Sequence, residues 1–368
     1  MDETLYALAL SRLPGIGTAT ALRLYHAAGS AAAVYEHRLE PEKLITGTTP
    51  RLRHALTAWD ETLELAAAEL RFARDGDIDV LTPAAAEWPQ RLNHCPDAPL
   101  VLFWRGTADL NAPRVLTVVG TRRITEYGKQ LCTALCHDLA ELIPGTLIVS
   151  GLAYGVDIHT HRAALDAGLP TVAVLAHGLD RIYPPLHRTT AAAMTRLGGL
   201  LTEYTSGTNP DKGNFVRRNR IVAGMSDATI VVESAAHGGA LITARLAHEY
   251  GREVMAFPGR TSDEYSQGCN QLISRNRAML VTSAADVAEA LGWQTAPAAT
   301  PVQRELFPTL TAEETRLRDL LRGTEGKNIN RLAVEADMPV YRLSALLFEL
   351  EMKGLVKPLP GGRYLWQE

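Results

Sequence analysis

The sequence has little cysteine, almost no net charge and no long apolar run, and each shortage excludes something. Four cysteines in 368 residues are too few for a disulfide-stapled secreted scaffold and fit a reducing compartment. Cys132 and Cys136 stand four apart in an apolar helical pattern, which reads as core packing. No second ligand pair has zinc spacing, so no metal is expected. No apolar run is long enough to cross a bilayer as a helix, and the acidic start Met1-Asp2-Glu3-Thr4 has no signal-peptide pattern. A soluble, cytoplasmic protein is the expectation. The net charge is −4, so binding to a polyanion would require a local basic patch rather than a bulk field. What is plentiful is apolar surface: a 46% hydrophobic fraction supports full cores, and the length predicts two to four units.

One stretch concentrates positive charge. In Phe215-Val216-Arg217-Arg218-Asn219-Arg220-Ile221-Val222-Ala223-Gly224-Met225-Ser226, three arginines fall within four positions beside an aromatic ring. On a helix Arg217 and Arg220 share a face, while Ile221 and Met225 point elsewhere. One side can then pack on a sheet while guanidinium groups project from the other. Arginine's rigid fork suits phosphate. A solvated basic face paired with nearby acids accounts for these residues equally well, so the surrounding chain has to decide.

Residues 1–75 read as a helical domain, with apolar residues at helical spacing in Leu5–Leu13 and Thr18–Ala28. Between them, the two glycines of Leu13-Pro14-Gly15-Ile16-Gly17 permit a tight hairpin with amides exposed at the start of the second helix. This resembles the helix-hairpin-helix element, which holds a DNA phosphate without reading bases; an ordinary turn is the alternative. Basic residues nearby in sequence are sparse, namely Arg12 and Arg23. Residues 76–112 form a bridge with strands at Ile78–Leu81 and Leu100–Trp104, the latter ending in a polar turn at Gly106; Trp88-Pro89, Pro96 and Pro99 break any helix.

From Pro113 to about Leu291 short apolar runs alternate with helical segments. Strands are predicted at Val115–Val119, Thr146–Ser150, Thr171–Leu175, Gly199–Thr202, Ala228–Glu233, Glu253–Phe257 and Met279–Val281. Such runs with helical crossovers predict a parallel, doubly wound, Rossmann-like sheet buried on both faces. Ligands on such sheets bind beyond the carboxyl ends of the strands. Those ends are glycine-rich: Gly120-Thr121-Arg122-Arg123, Gly151-Leu152-Ala153-Tyr154-Gly155-Val156-Asp157, His177-Gly178-Leu179-Asp180, Ser234-Ala235-Ala236-His237-Gly238-Gly239-Ala240 and Pro258-Gly259-Arg260. Glycine lets a backbone approach a ligand, and loop amides bind anions. The repetition points to a phosphate-bearing ligand. Residues 293–307, rich in Ala, Pro and Thr, read as a linker. Residues 308–368 read as a winged helix: a capping box at Thr311-Ala312-Glu313-Glu314, helices Ile329–Ala336 and Val340–Lys353, and a hairpin from Leu355–Lys357 to Arg363–Trp366 around Pro360-Gly361-Gly362. Its third helix mixes Arg342 and Lys353 with Glu349 and Glu351, poor chemistry for groove reading.

Taken together, the loops resemble the DprA/Smf family, the bacterial DNA-processing proteins of natural transformation. The matching pieces include Val119–Arg122, Ser150–Asp157, His161–Leu165, Gly178–Asp180 with Tyr183-Pro184, Phe215–Ser226, Leu241–Ala244 and Ser266–Asn270. Each piece is weak alone; their order and spacing are specific. The resemblance implies an extended Rossmann-like core at 76–292, flanked by a helix-hairpin-helix or SAM-like domain and a winged helix. It implies a homodimer that binds single-stranded DNA and helps load the RecA recombinase, with no cofactor. The DNA-binding residues it implies are Gly120, Thr121, Arg122, Gly151, Leu152, Ala153, Gly155, Phe215, Arg217, Arg218, Asn219, Arg220, Gly238 and Gly239. There are two departures: Val216 where the family often has proline, and Gly238-Gly239-Ala240 where hydroxyls commonly stand, which leaves backbone amides alone. His237 beside them is either a pH-dependent charge or a surface histidine without a role.

A rival reading is an enzyme, since phosphoribohydrolases share this core. They carry a Pro-Gly-Gly-x-Gly-Thr-x-x-Glu run, and His237–Ala244 holds no such glutamate. Asp157, Glu203 and Glu233 lie near strand ends and are the carboxylates available for proton transfer; Asp157 also reads as a cap for the helix at Ile158. A sensor of a small nucleotide is a third reading of the same pocket.

Overall fold

The protein is described here by a computed structural model covering residues 2–295, 310–324, 326–359 and 361–367. The chain divides into two compact units, Met1–Pro297 and Ala298–Glu368. The predicted linker lies outside the described residues from position 296 on, as does Pro360 of the predicted hairpin turn.

The first unit opens with five helices: α1 (Glu3–Arg12), α2 (Thr18–Ala28), α3 (Ala31–Glu36), α4 (Pro50–Ala55) and α5 (Trp59–Asp75). Local chemistry sets their ends. The Asp2 carboxylate accepts from the amides of Thr4 and Leu5 to start α1. Gly29, at φ 83°, ends α2 in the left-handed region that glycine adopts without steric penalty. Glu3 reaches across to accept from Ala31 and Ala32 at 2.6 and 3.1 Å, setting a negative charge on the first turn of α3.

Nine strands then build one sheet in the order β1-β2-β6-β5-β4-β3-β7-β8-β9. They are β1 (Asp79–Leu81), β2 (Leu102–Gly106), β3 (Val115–Val119), β4 (Leu147–Ser150), β5 (Thr171–Val174), β6 (Gly198–Thr202), β7 (Ala228–Val231), β8 (Glu253–Ala256) and β9 (Met279–Leu280). Strands β3 to β9 are mutually parallel, as expected of the doubly wound pattern. The bridge strands do more than connect. β1 and β2 extend the sheet as an antiparallel edge beside β6, so the sheet is mixed. β2 also runs two residues later than predicted. Gly106 is part of the strand, opposite Gly199, and a Cβ there would fall 2.3 Å from the Gly198 carbonyl. The Trp104 indole covers Gly199, where a Cβ would meet the ring at 2.1 Å. The two glycines are a close-packing device, not a turn.

Burial on both faces follows the period of two. Val115, Val119, Val149 and Val231 belong to the core shared with the N-terminal helices; Leu116, Val118, Ile148 and Ile230 belong to the opposite core. The helices are α6 (Glu126–Leu142), α7 (Val156–Asp166), α8 (Arg188–Met194), α9 (Lys212–Gly224), α10 (Gly239–Glu249), α11 (Gln267–Ser274) and α12 (Ala284–Ala290). The N-terminal helices are tied to the sheet by charge as well as apolar contact. Buried Glu69 on α5 accepts from the Ser206 amide and hydroxyl at 2.7 and 2.6 Å.

The second unit holds α13 (Ala312–Leu321), β10 (Lys327–Asn328), α14 (Ile329–Glu335), α15 (Val340–Met352), β11 (Val356–Leu359) and β12 (Arg363–Trp366). The Thr311–Glu314 capping box forms as expected. The strands order β10-β12-β11, so a short third strand joins the predicted hairpin in a winged-helix arrangement. Leu317, Leu321, Leu332, Leu343, Leu347 and Leu350 are its buried core. Arg342 of α15 and Lys353, which caps its C-terminus, are both engaged, with Glu313 and Glu314 of α13.

His161 of α7 is fully buried. Thr171 Oγ1 donates to the Ile148 carbonyl at 3.1 Å and accepts from His161 Nδ1 at 2.7 Å, while Nε2 has no partner among the described residues. Burial pushes its pKa down to about 3. The unfolded chain therefore binds a proton near pH 6.5 that the folded chain refuses, and stability falls as pH drops below that value, by up to about 1.4 kcal/mol per pH unit. Denaturant titrations between about pH 6 and pH 4 should show a shallower pH slope for His161→Gln than for the parent, by up to that amount. Identical slopes would mean that His161 takes up its proton in the folded state.

Candidate functional site

From β3 the parallel strands run outward in two directions, β4-β5-β6 one way and β7-β8-β9 the other. The reversal places a topological switch point at the carboxyl ends of β3 and its neighbours. A cleft of about 820 Å³ opens there, lined by the loop after β3, the loop after β7, the start of α10 and one face of α9.

The orientation of α9 is set by Arg218. Its side chain is buried, and Nη1 donates to the Gly151 carbonyl at 2.7 Å and to the Val174 carbonyl. Gly151 has to be glycine: a Cβ there would fall 2.5 Å from Arg218 Nη2 and 2.7 Å from Asp157 Oδ2. Burial lowers the Arg218 pKa to about 10, with Asp157 opposing the shift, so the group stays charged at neutral pH. Burial likewise raises the Asp157 pKa, and Arg218 opposes that shift first. Asp157 does not cap Ile158. Its carboxylate turns back to accept from the Ala153 amide at 3.2 Å.

With Arg218 fixed, the rest of α9 is placed by helical geometry. Phe215, three residues earlier, sits on the cleft wall with Asn219. The Arg122 guanidinium lies 5.0 Å from the Phe215 ring centroid, Arg218 lies 5.9 Å from it, and the Tyr183 ring lies 6.0 Å away. Arg122 is exposed, and its side chain has no ion pair or hydrogen bond among the described residues. On the same cleft, Gly238 is the N-cap of α10 and offers no side-chain cap, and the amides of Gly239 and Ala240 donate to no protein acceptor among the described residues. An uncapped helix start carries a partial positive charge, so the cleft presents a guanidinium, open amides and a half-buried ring together.

The loops are stitched together behind this rim. The Thr121 amide donates to the Glu233 carbonyl at 2.7 Å, and the Val156 amide donates to the Thr121 carbonyl at 3.1 Å. Gly155, at φ 79°, lies so near that a Cβ would stand 2.1 Å from the Thr121 oxygen. Gly120 packs as closely on Val156, at 2.3 Å.

The structure therefore brings together Gly120, Thr121, Arg122, Ala153, Phe215, Arg218, Asn219, Gly238 and Gly239 on one cleft. Gly151 and Gly155 lie behind the lining and shape it. Leu152 is fully buried in an apolar cluster, at φ 60°, so its side chain faces away from the cleft. The Ala153 amide is taken by Asp157, whereas those of Gly239 and Ala240 have no acceptor among the described residues. Arg217 and Arg220 are on the other side of α9, in a separate cleft beside α1 and α2. The expected single row of arginines is thus split: anchoring Arg218 to the sheet turns its neighbours one to two positions away onto different faces. Lys212 and Tyr183 also line the central cleft. Tyr183 stands in the Tyr183-Pro184 motif and was legible there; Lys212 has no motif to mark it.

The candidate acids are all engaged. Buried Glu233 accepts from the Thr125 amide and hydroxyl at 2.9 and 2.5 Å, holding the start of α6. Glu203 pairs with Arg220, and Asp157 serves the Ala153 loop.

A mixed Rossmann-type sheet with a cation- and amide-rimmed cleft at its switch point, carried with a winged-helix unit, defines an extended Rossmann protein of a known kind. The chain belongs to the DNA recombination-mediator protein A family, whose pattern matches residues 79–292; residues 294–362 match the DprA winged helix domain. It is 37% identical to Protein Smf of Escherichia coli over 295 residues, covering 77% of this chain and 76% of that one. It is 38% identical to the DNA processing protein DprA of Bacillus subtilis over 219 residues, 59% of this chain and 73% of the relative. The X-ray structure of DNA processing protein A from Streptococcus pneumoniae superposes with a TM-score of 0.67 at 30% identity, covering 78% of this chain and 98% of that one. A structure of DNA processing protein A from Helicobacter pylori, described for its single-stranded DNA binding mode, superposes with a TM-score of 0.52 at 30% identity, covering 58% of this chain and 95% of that one.

The two kinds of glycine on the rim predict opposite outcomes. Gly155→Ala forces a side chain into the Thr121 backbone at positive φ and should cost about 3 kcal/mol by denaturant unfolding. Gly239→Ala meets nothing within 4 Å and should change stability by less than about 0.5 kcal/mol. Equal effects would contradict the packing assigned to the Gly155 turn.

Proposed function

We propose that this chain binds single-stranded DNA in the switch-point cleft, without reading its sequence. The observation that carries the proposal is the Arg122 guanidinium, without an ion pair or hydrogen bond among the described residues, set 5.0 Å from the Phe215 ring centroid in the cleft that the uncapped start of α10 also lines. Guanidinium and amides suit phosphate, which is the same for every nucleotide. A ring offers a stacking platform, which every base can use. Access to a base face is a property of single strands rather than of a stacked duplex. The relative from Helicobacter pylori is described as binding single-stranded DNA, which supports carrying the function to this family member.

In this reading the protein covers incoming DNA during natural transformation and helps place RecA recombinase on it, acting as a homodimer in the cytoplasm. It is a binder and not an enzyme. Support for that comes from the carboxylates at the strand ends, each held in a structural bond: Glu233 to Thr125, Glu203 to Arg220, and Asp157 to Ala153. A general acid or base needs a carboxyl free to reach its proton. The winged-helix unit does not read DNA in this proposal. Arg342 of α15 and Lys353 at its C-cap are both paired, and the side chains the helix exposes include Tyr341, Phe348 and Met352.

Arg122→Ala should weaken binding to oligo(dT) and oligo(dC) by a similar factor. It should also flatten the dependence of log affinity on log salt by about 0.7 for the lost phosphate contact. Fluorescence anisotropy across a salt series measures both. An unchanged slope would remove Arg122 from the interface. Tighter binding of a free mononucleotide than of oligo(dT) would favour a small-nucleotide site instead.

A further inference from the structure

The second cleft, on the far side of α9, has a chemistry of its own. It measures about 270 Å³ and is bounded by the α1–α2 turn and by α9. Three guanidinium groups line it: Arg12 from the end of α1, and Arg217 and Arg220 from α9. Arg12 and Arg217 are exposed, and neither has an ion pair or side-chain hydrogen bond among the described residues. Arg220 pairs through Nη2 with Glu203, which also lines the cleft, and its side chain is only 11% exposed. Its Nη1 is buried and has no hydrogen-bond partner among the described residues. Glu203 offsets one of the three positive charges and leaves two.

Facing these groups is the start of α2, an 11-residue helix whose N-cap is Gly17. Glycine offers no capping oxygen, and the amides of Gly17, Thr18 and Ala19 donate to no protein acceptor among the described residues. Gly17 and Thr18 both line the cleft. Arg51 adds a further cation beside the turn, its Nε 3.8 Å from where a Cβ on Gly15 would stand. In sequence the turn has almost no basic neighbours; the fold supplies them from about 200 residues away.

Two guanidinium groups without a partner among the described residues, Arg12 and Arg217, converge with open helix-start amides on one small cleft, the donor set of an oxyanion site. α9 is the shared wall: Phe215, Arg218 and Asn219 face the central cleft, and Arg217 and Arg220 face this one. A helix with its side chains is about 10 Å across, a distance a few nucleotides of one strand can span. We propose that the cleft between the α1–α2 turn and α9 is a second phosphate-binding site. It holds a backbone phosphate of the strand whose neighbouring nucleotides occupy the central cleft. The inference rests on the single-strand reading of the central cleft and adds a second anchor to it.

Length dependence separates the two. Full-length protein is titrated by anisotropy with oligo(dT) of about 4 and about 16 nucleotides, and with a duplex of the longer length. Two variants probe the second cleft without touching the first. Arg12→Ala removes an exposed cation. Thr18→Pro deletes a free amide at the first helical position, where proline is well accommodated, and the extended Gly17 (φ −83°, ψ 162°) suits a residue before proline. Each variant should lower affinity for the long oligonucleotide about three- to tenfold and leave the short one unchanged, with Arg12→Lys restoring most of the loss. Unchanged affinity for the long strand in both variants would overturn the proposal. So would an equal loss at both lengths, or a loss confined to the duplex. Parent protein that binds neither single strand, or an Arg122→Ala variant that binds both normally, would instead overturn the reading of the central cleft.

Discussion

A single buried guanidinium organises the site. Arg218 spends its hydrogen bonds on the carbonyls of Gly151 and Val174, at the carboxyl ends of β4 and β5. Burying an arginine is costly unless its donors are satisfied and its charge is opposed. Both conditions are met, by carbonyls at strand ends and by Asp157 nearby. The arrangement fixes the rotation of α9 about its axis, because no other turn of the helix puts residue 218 over the sheet. Everything α9 presents to its two clefts follows from that one anchor. A glycine at 151 is the geometric condition for it.

The glycine-rich loops then take on separate meanings. Gly120, Gly151 and Gly155 are required by contact: a Cβ at any of them would strike backbone or a charged side chain. They let three loops close into one rim. Gly238, at the open start of α10, has another use: it leaves the helix without a side-chain cap, so its amides stay available. The same residue type thus builds the frame in one place and exposes donors in another.

Much of this was legible in the sequence. The parallel strands were readable because both of their faces are buried, giving short unbroken apolar runs such as Val115–Val119. The order of glycine-rich strand ends was readable too, and with it the cleft. The antiparallel edge was not, since the pairing of β2 with β6 joins residues about 100 apart and depends on a Gly106–Gly199 contact. Nor could the three arginines of α9 be told apart. Their roles depend on which one meets the sheet, and periodicity alone allows more than one answer. Leu152 shows the same limit: it stands in a glycine-rich strand-end loop, yet it lies at a left-handed backbone position with its side chain in the core. The α1–α2 turn looked poor in positive charge because, Arg12 apart, the cations beside it come from distant parts of the chain.

The most direct test of the central claim is ultraviolet crosslinking of the full-length protein to oligo(dT), followed by mass spectrometry of the adduct peptides. A strand held on the switch-point rim with a base against the aromatic ring predicts adducts at Phe215 or Tyr183. Adducts confined to residues 310–367, with none on the loops after β3 and β7 or on α9, would contradict it.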